Sequence, residues 1–448
     1  MRLKTLLPLL AIAVVVLAAL TIFSRRPTPP LNAKPVVEVN TTDATGIANV
    51  ADLKFAETDW PQWRGANISG VAARQAVPTT WSDQENIAWR SDVPGRGHAS
   101  PILIGGLVVL ATALEESEEQ LVLAFDRKTG EEKWRTQIHK GKFPATKEMH
   151  PKSTHANGTV ASDGSNLYVT FLNDEKIYAT ALDMAGEIVW QKEAGTYYSR
   201  FGYAASPILY KSLLLIAADN WGSGFITAMD RQSGDVVWRK QRTSVTSFST
   251  PLLAKVGGRD QLVICGTDVV VSFNPATGET YWSTPATTEA TCGTPVTDGK
   301  SFFASGGYPI AQTVAINGED GSIIWENNRK LYEPSLLVTG GNVFGVTDKG
   351  IAYCWAAADG KEQWKKRLSG GFSASPVLCG ENIFVPNLSG ETFVFKANGT
   401  SYQQIARNEL GNDSYSSMAI AGGDIVMRVG VGKGSGRQEQ LVCIRKTE

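Results

Sequence analysis

The sequence predicts an all-β protein, an eight-bladed β-propeller carrying an N-terminal transmembrane or signal helix. Three observations predict it. A strand–turn–strand segment closing on tryptophan recurs along the chain, a small-residue element recurs ahead of each copy, and one apolar stretch near the amino terminus is free of charge. Composition agrees: 44 glycines and 12 tryptophans in 448 residues, with only 19% charged, suit turn-rich sheet better than helix or a disordered chain.

The uncharged stretch is TLLPLLAIAVVVLAALTIF, residues 5–23, behind Arg2 and Lys4 and ahead of Arg25 and Arg26. A helix of that length spans a hydrocarbon core. Residues 1–24 therefore read as an uncleaved signal anchor first and a cleaved signal peptide second. Pro27, Pro29, Pro30 and Pro35 then mark residues 25–58 as a flexible linker, with the globular domain over 59–448.

The main repeat reads VLAFDRKTGEEKW, ATALDMAGEIVW, ITAMDRQSGDVVW, VVSFNPATGETYW, TVAINGEDGSIIW and AYCWAAADGKEQW. These copies close on Trp134, Trp190, Trp238, Trp282, Trp325 and Trp364, and a degenerate copy ends at Ile405. Spacings of about 40 to 56 residues have the period of a propeller blade. In each turn a glycine such as Gly130 or Gly234 takes the positive φ of a tight hairpin, and an Asp or Asn bonds the turn backbone. The tryptophan falls on the outermost strand, where its ring can cover the gap to the next blade.

The second element reads ASPIL, NGTVA, ASPIL, STPLL, GTPVT, PSLLV, ASPVL and SSMAI, at 99, 157, 205, 249, 293, 334, 374 and 416. Eight copies imply eight inner strands, and small residues suit strands converging on one axis. Only seven copies have an outer strand downstream. NIAWRSDV, with Trp89, lies upstream and unassigned, so it is expected to complete the last blade beside the terminal LVCIRK and leave no open edge.

Lys and Arg (43) nearly balance Asp and Glu (44), and a net charge of −1 excludes a global field for nucleic acid. Five cysteines without a CxxC or an adjacent pair exclude a disulfide framework and a zinc site, and Cys265, Cys354 and Cys443 sit in apolar runs as core residues. The acidic run EESEE at 115–119 reads as a solvated loop tip. GVGKGSG at 430–436 lacks the spacing of a phosphate loop and reads as a hairpin loop. Neither a nucleophile elbow nor an HExxH is present.

The A-x-D-x-x-T-G-x-x-x-W copies and the G-x-x-S-P elements resemble the pyrroloquinoline-quinone-type repeat propellers over residues 59–448. WPQWRG at 60–65, with Asn67 and Gly70, is similar to a segment ahead of such propellers in exported planctomycete proteins. The resemblance implies a quinoprotein-alcohol-dehydrogenase-like propeller. Its members include quinone-dependent alcohol and sugar dehydrogenases and non-catalytic scaffolds such as the assembly factor B of the outer-membrane β-barrel machinery. This chain departs from the enzymes in lacking the adjacent cysteine pair and the Cys-x-x-Cys-His haem motif, and from the scaffolds in lacking a lipobox cysteine.

Aligning the eight inner-strand entrances puts His98, His155, Tyr203, Phe248, Cys292, Glu333, Phe372 and Tyr415 around the funnel mouth. Such a ring could hold a small ligand or a partner loop, or it could merely plug the central channel. His150 and His155, five residues apart, have no third ligand for a metal. The densest aromatic run, YYSRFGY at 197–203, with Trp221 in DNWGSG, is a candidate binding lip or inter-blade packing. The structural tryptophan slot comprises Trp89, Trp134, Trp190, Trp238, Trp282, Trp325 and Trp364. The expectation is an exported monomer without catalytic residues, cofactor or metal. It would sit on the periplasmic side of a membrane, anchored by 5–23 or released by cleavage, and bind a protein or another envelope component but no nucleic acid. The alternatives are an oxidoreductase using pyrroloquinoline quinone with calcium, and an envelope-polysaccharide-binding module.

Overall fold

The computed structural model describes residues 36–41, 43–144, 149–150, 152–198 and 201–446. The helix expected over 5–23 lies outside them. Among the described residues no helix is long and apolar enough to cross a membrane.

Eight four-stranded antiparallel sheets stand around one axis. Each of the first seven blades takes its strands in chain order from the axis outward, as in blade one: Ile102–Ile104, Leu107–Leu114, Glu119–Asp126 and Glu132–Lys140. The eighth is built from both ends of the chain. Ala419–Ala421, Asp424–Val431 and Gln438–Ile444 supply its inner three strands, and Ile87–Val93 its outer one. The closing register pairs Trp89 with Cys443 and Ser91 with Leu441. Ring closure at Trp89 is thus a hydrogen-bonded seam, and it removes two sheet edges at once.

Middle strands are buried on both faces, which is why they read as unbroken apolar runs rather than as alternation. Phe302 and Phe303 are both fully buried on successive positions of one strand. Phe302 packs into the cluster shared with blade four, and Phe303 into the cluster shared with blade six. Each ring so buried contributes on the order of 2 kcal/mol of apolar transfer.

The tryptophan slot seals these seams from outside. The Trp89 indole N–H donates to Arg127 O at 3.0 Å in the turn of blade one, and Trp190 does the same to Arg231 O at 2.9 Å in blade three. The ring of each lies on the turn glycine of that next blade, Gly130 and Gly234. Any Cβ there would come within 2.7 Å of it. Trp134, Trp238, Trp282, Trp325 and Trp364 repeat the contact onto the carbonyls of Met184, Pro275, Gly318, Ala357 and Asn398. The turn glycine is therefore doubly required, for its φ of +73° at Gly234 and for the absence of a side chain under the indole. Blade seven has no such tryptophan. Its seam to blade eight is covered instead by Trp81, stacked 6.4 Å from Phe384, with its backbone N–H bonded to Asn408 Oδ1.

The expected linker, residues 25–58, does not hang free where it is described. Val39 pairs with Arg239 on the outer edge of blade three. A six-residue helix, Ala44–Asn49, capped by the Asp43 carboxylate, buries Ile47 in the blade three–four cluster. Leu53 and Phe55 pack beneath blades two and one.

Candidate ligand site at the propeller funnel

The two ends of the propeller differ. At one end the loops entering each inner strand pair with the central hairpin loops, as in the bridges Arg96 to Ala113, Ala290 to Tyr308 and Asp413 to Gly430. This is the funnel face. The other end is plugged by the segment that begins at Trp60. Trp60 exchanges both backbone bonds with Leu103 of blade one, and Pro61 O accepts from Ser162 N of blade two. Trp63 Nε1 donates to Thr294 Oγ1 of blade five, Arg64 Nη2 to Leu336 O of blade six, and Gly70 O accepts from Leu378 N of blade seven.

Inside, the small-residue elements do more than fit together. Ser100 N donates to Thr159 Oγ1, Thr159 N to Ser206 Oγ, and Ser206 N to Thr250 Oγ1. On the other side Thr294 N donates to Ser335 Oγ, Ser335 N to Ser375 Oγ, Ser375 N to Ser417 Oγ, and Ser417 N to Ser100 Oγ. Backbone-to-hydroxyl bonds at 2.8 to 3.2 Å thus lace neighbouring inner strands around the axis. Each satisfies a buried N–H that no sheet partner reaches.

The structure divides the eight aligned entrance residues into two groups. Phe372 is fully buried and packs 6.0 Å from Phe393 in the blade seven core. Tyr203 is buried beside Tyr197, its hydroxyl donating to Ala217 O. His155 is buried, stacked 4.1 Å from Phe143, and Phe248 lies under Phe201. These four pack. His98, Cys292, Glu333 and Tyr415 remain partly open to the funnel. His98 and Tyr415 lie face to face, 4.3 Å apart and 5° from parallel, across the seam of blades one and eight.

Glu333 is the polar centre of this group. Lys152, from the loop between blades one and two, reaches it at 2.7 Å, and Ser373 Oγ donates to its other oxygen. Just behind it, the Asp348 carboxylate accepts from Tyr332 N at 3.0 Å and Glu333 N at 2.9 Å. Burial raises Asp348 above the usual carboxylate range, against these two bonds. Burial, together with Glu333 and Asp348, pushes the Cys292 thiol well above its ordinary value, so it is held protonated and is a poor nucleophile. Burial and the nearby Arg96 and Arg428 push His98 well below the usual imidazole range, leaving it neutral at pH 7. Burial lowers His155 to about 4.

Lys152, Asp348 and Ser373 escaped the sequence reading because they lie outside the aligned slot. The loops ahead of blades two and seven meeting a hairpin of blade six leave no periodic trace. On the rim, the YYSRFGY run splits: Tyr197 is buried, whereas Phe201 is exposed and meets Trp221 and His150 edge-on at 5.7 and 5.9 Å. Tyr308 and Ile310 stand exposed on the hairpin loop of blade five. Glu115 to Glu118 of EESEE form the loop between Leu107–Leu114 and Glu119–Asp126, and GVGKGSG ends the strand Asp424–Val431 and begins the loop to Gln438–Ile444.

A quinone with calcium would need unspent oxygen donors near the axis. At Glu333 and Asp348 each carboxylate oxygen already accepts one bond, from Lys152, Ser373 and two backbone N–H groups. Among the described residues no three His, Cys, Asp or Glu side chains are grouped to hold a metal.

Comparison with known proteins places this architecture. The family model described as Outer membrane protein assembly factor BamB matches residues 70–146, 118–366 and 311–440. The chain is 22% identical over 385 residues to the assembly factor BamB of Burkholderia pseudomallei (strain K96243), covering 81% of this chain and 91% of that one. Among solved structures it is similar to BamB from Moraxella catarrhalis, with a TM-score of 0.58 at 15% identity over 79% of this chain and 98% of that one. It is also similar to a europium-containing methanol dehydrogenase, with a TM-score of 0.64 at 12% identity over 85% and 91%. The two structural likenesses show the propeller fold and no more. The match of the family model from residue 70 to 440, across all eight blades, places the chain in the family of the outer membrane protein assembly factor BamB.

Proposed function

We propose that this chain is an exported, non-catalytic scaffold of the cell envelope that binds a protein across its funnel face. It would work as a monomer on the periplasmic side of a membrane, anchored through residues 5–23 or released by cleavage. The observation that carries the reading is the internal pairing of the funnel. Glu333 is committed to Lys152 and Ser373, Asp348 to the backbone, Cys292 is a protonated thiol, and His98 is a neutral ring stacked on Tyr415. Glu333, Asp348 and His98 are thus each engaged by a neighbour within the fold. The exposed rim instead offers Phe201, Tyr308 and Ile310, the residue types that anchor protein interfaces. Family membership supports the same reading.

The test is site-specific crosslinking in intact envelopes, with a photoreactive residue at Ile310 or Phe201 on the rim, or at Asp298 on the opposite end. The reading requires a crosslinked protein from the two rim positions and none from Asp298. Equal labelling at all three would overturn it. So would a bound-cofactor absorbance with dye-linked alcohol oxidation when the chain is mixed with the quinone and calcium.

A further inference from the structure

The amino-terminal segment shows how an outer edge of this propeller can be covered. Val39 exchanges both backbone bonds with Arg239 of the outer strand of blade three, Val236–Gln241, at 2.8 and 3.1 Å. The antiparallel register sets Glu38 against Lys240, 3.8 Å away, and the Glu38 carboxylate also accepts from Gln241 N at 3.2 Å. Val36 joins Val236 on one apolar cluster. Beneath this strap only Gln241 of the strand is exposed.

Blade two repeats the seat, and there it is open. Its outer strand, Ile188–Thr196, carries the two features that the strap uses on blade three. One is an aliphatic pair just ahead of the blade tryptophan, Ile188 and Val189 in place of Val236 and Val237. The other is a lysine two positions after that tryptophan, Lys192 in place of Lys240. None of the other six blades has both. Yet Ile188 and Val189 are 43% and 54% exposed, and Gln191, Lys192 and Glu193 are exposed as well. Among the described residues no backbone pairs with the outer side of this strand. Lys192 has only the exposed Asp235 carboxylate near it, at 3.5 Å. Unpaired backbone beside an apolar pair is a template for one more strand.

We propose that the outer edge of blade two takes an extended segment of a partner protein by strand addition, in the register of the strap. A β-branched residue of the partner lies opposite Gln191 and a carboxylate opposite Lys192, as Val39 and Glu38 lie opposite Arg239 and Lys240. This surface is on the side of the propeller and is independent of what the funnel face binds.

The experiment uses the full chain, whose own strap covers blade three, and a capped, labelled peptide of residues 36–41 as the probe. Binding should be saturable, and hydrogen exchange should slow over Ile188–Glu193 and stay unchanged over Val236–Gln241. Lys192→Glu should weaken binding by about tenfold, because like charges then face each other across the ladder. The side chain is exposed, and an unchanged thermal midpoint shows that the variant is folded. A Val39→Pro version of the peptide lacks the N–H that the edge accepts and should not bind. Absence of saturable binding, equal affinity in Lys192→Glu, or equal binding of the proline peptide would overturn the proposal. So would protection over Val236–Gln241 instead, which would mean that the peptide displaces the strap. A full chain that dimerises until Val189→Asp is introduced would assign the edge to a second copy and overturn it too.

Discussion

The indole N–H of Trp63 donates to the Thr294 hydroxyl at 2.8 Å, at the point where blade five joins the ring of laced inner strands. Elsewhere in that ring the hydroxyl accepts from the preceding blade's backbone. Here it accepts from a residue 231 positions upstream. The plug is thus one link of the ring.

Trp63→Phe, which keeps most of the ring and deletes the donor, should lower unfolding stability by about 1 kcal/mol in urea titration. Thr294→Val should cost a similar amount. The double variant should cost clearly less than the sum, because the two singles remove one bond. Additive losses would mean that the bond contributes nothing.

The docking of each tryptophan on the next blade's glycine separates steric from conformational effects. Gly234 and Gly105 both hold positive φ, at +73° and +54°. A Cβ at Gly234 meets Trp190 at 2.7 Å, whereas at Gly105 it meets nothing within 4 Å. Gly105→Ala should cost about 1 kcal/mol for the left-handed backbone alone. Gly234→Ala should cost a further 1 to 3 kcal/mol for overpacking the seam. Matching losses would remove the indole contact from the account.

Arg428 and Glu439 form a buried pair in blade eight that also clasps blade one, through Arg428 bonds to Ala111 O at 2.7 Å and Thr112 Oγ1 at 3.0 Å. Arg428→Met should cost about 3 to 5 kcal/mol, since Glu439 stays buried with Arg437 and the Gly97 N–H left beside it. Arg428→Met with Glu439→Met should recover part of that loss. A double variant weaker than the single would contradict this.

Burial holds both His139 and His155 near 4, against an ordinary imidazole value of 6.5. Below pH 6.5 the unfolded chain takes up protons that the folded chain refuses, so stability falls as the pH drops from 6.5 towards 4. Above pH 6.5 these two groups add no slope. Urea midpoints across pH 7.5 to 4.5 should show this decline, and His155→Gln should make it shallower. Identical slopes in the two proteins would discard His155 as a contributor.

Blade number, strand order and the closing strand at Trp89 were legible in the sequence because each rests on a repeat, and a repeat is local chemistry read many times. The funnel was less legible. Phe372 and Glu333 occupy the same aligned slot, yet one ring turns inward onto Phe393 and the other side chain turns towards Lys152. The slot fixes where the backbone enters the strand. Loop length and local packing decide where the side chain points. The Ser and Thr of the inner elements were legible as small residues but not as hydroxyls, since the backbone N–H groups they serve belong to other blades. Residues 36–58 read as linker because a segment that follows a finished surface needs only scattered apolar residues, here Ile47, Leu53 and Phe55.

The plug also has a consequence for the order of assembly. Trp60 to Gln75 leave the ribosome before any blade, yet their partners run from Leu103 to Gly423. Until the last blade has been made, this segment has no complete seat, and strand Ile87–Val93 waits for Gln438–Ile444. Contacts this distant in sequence form late and slowly. Seven blades can stack as they emerge, but the seam and the plug close together at the end. A chain that stalls before Gln438–Ile444 is made would keep both its axis and its first strand open to whatever is nearby.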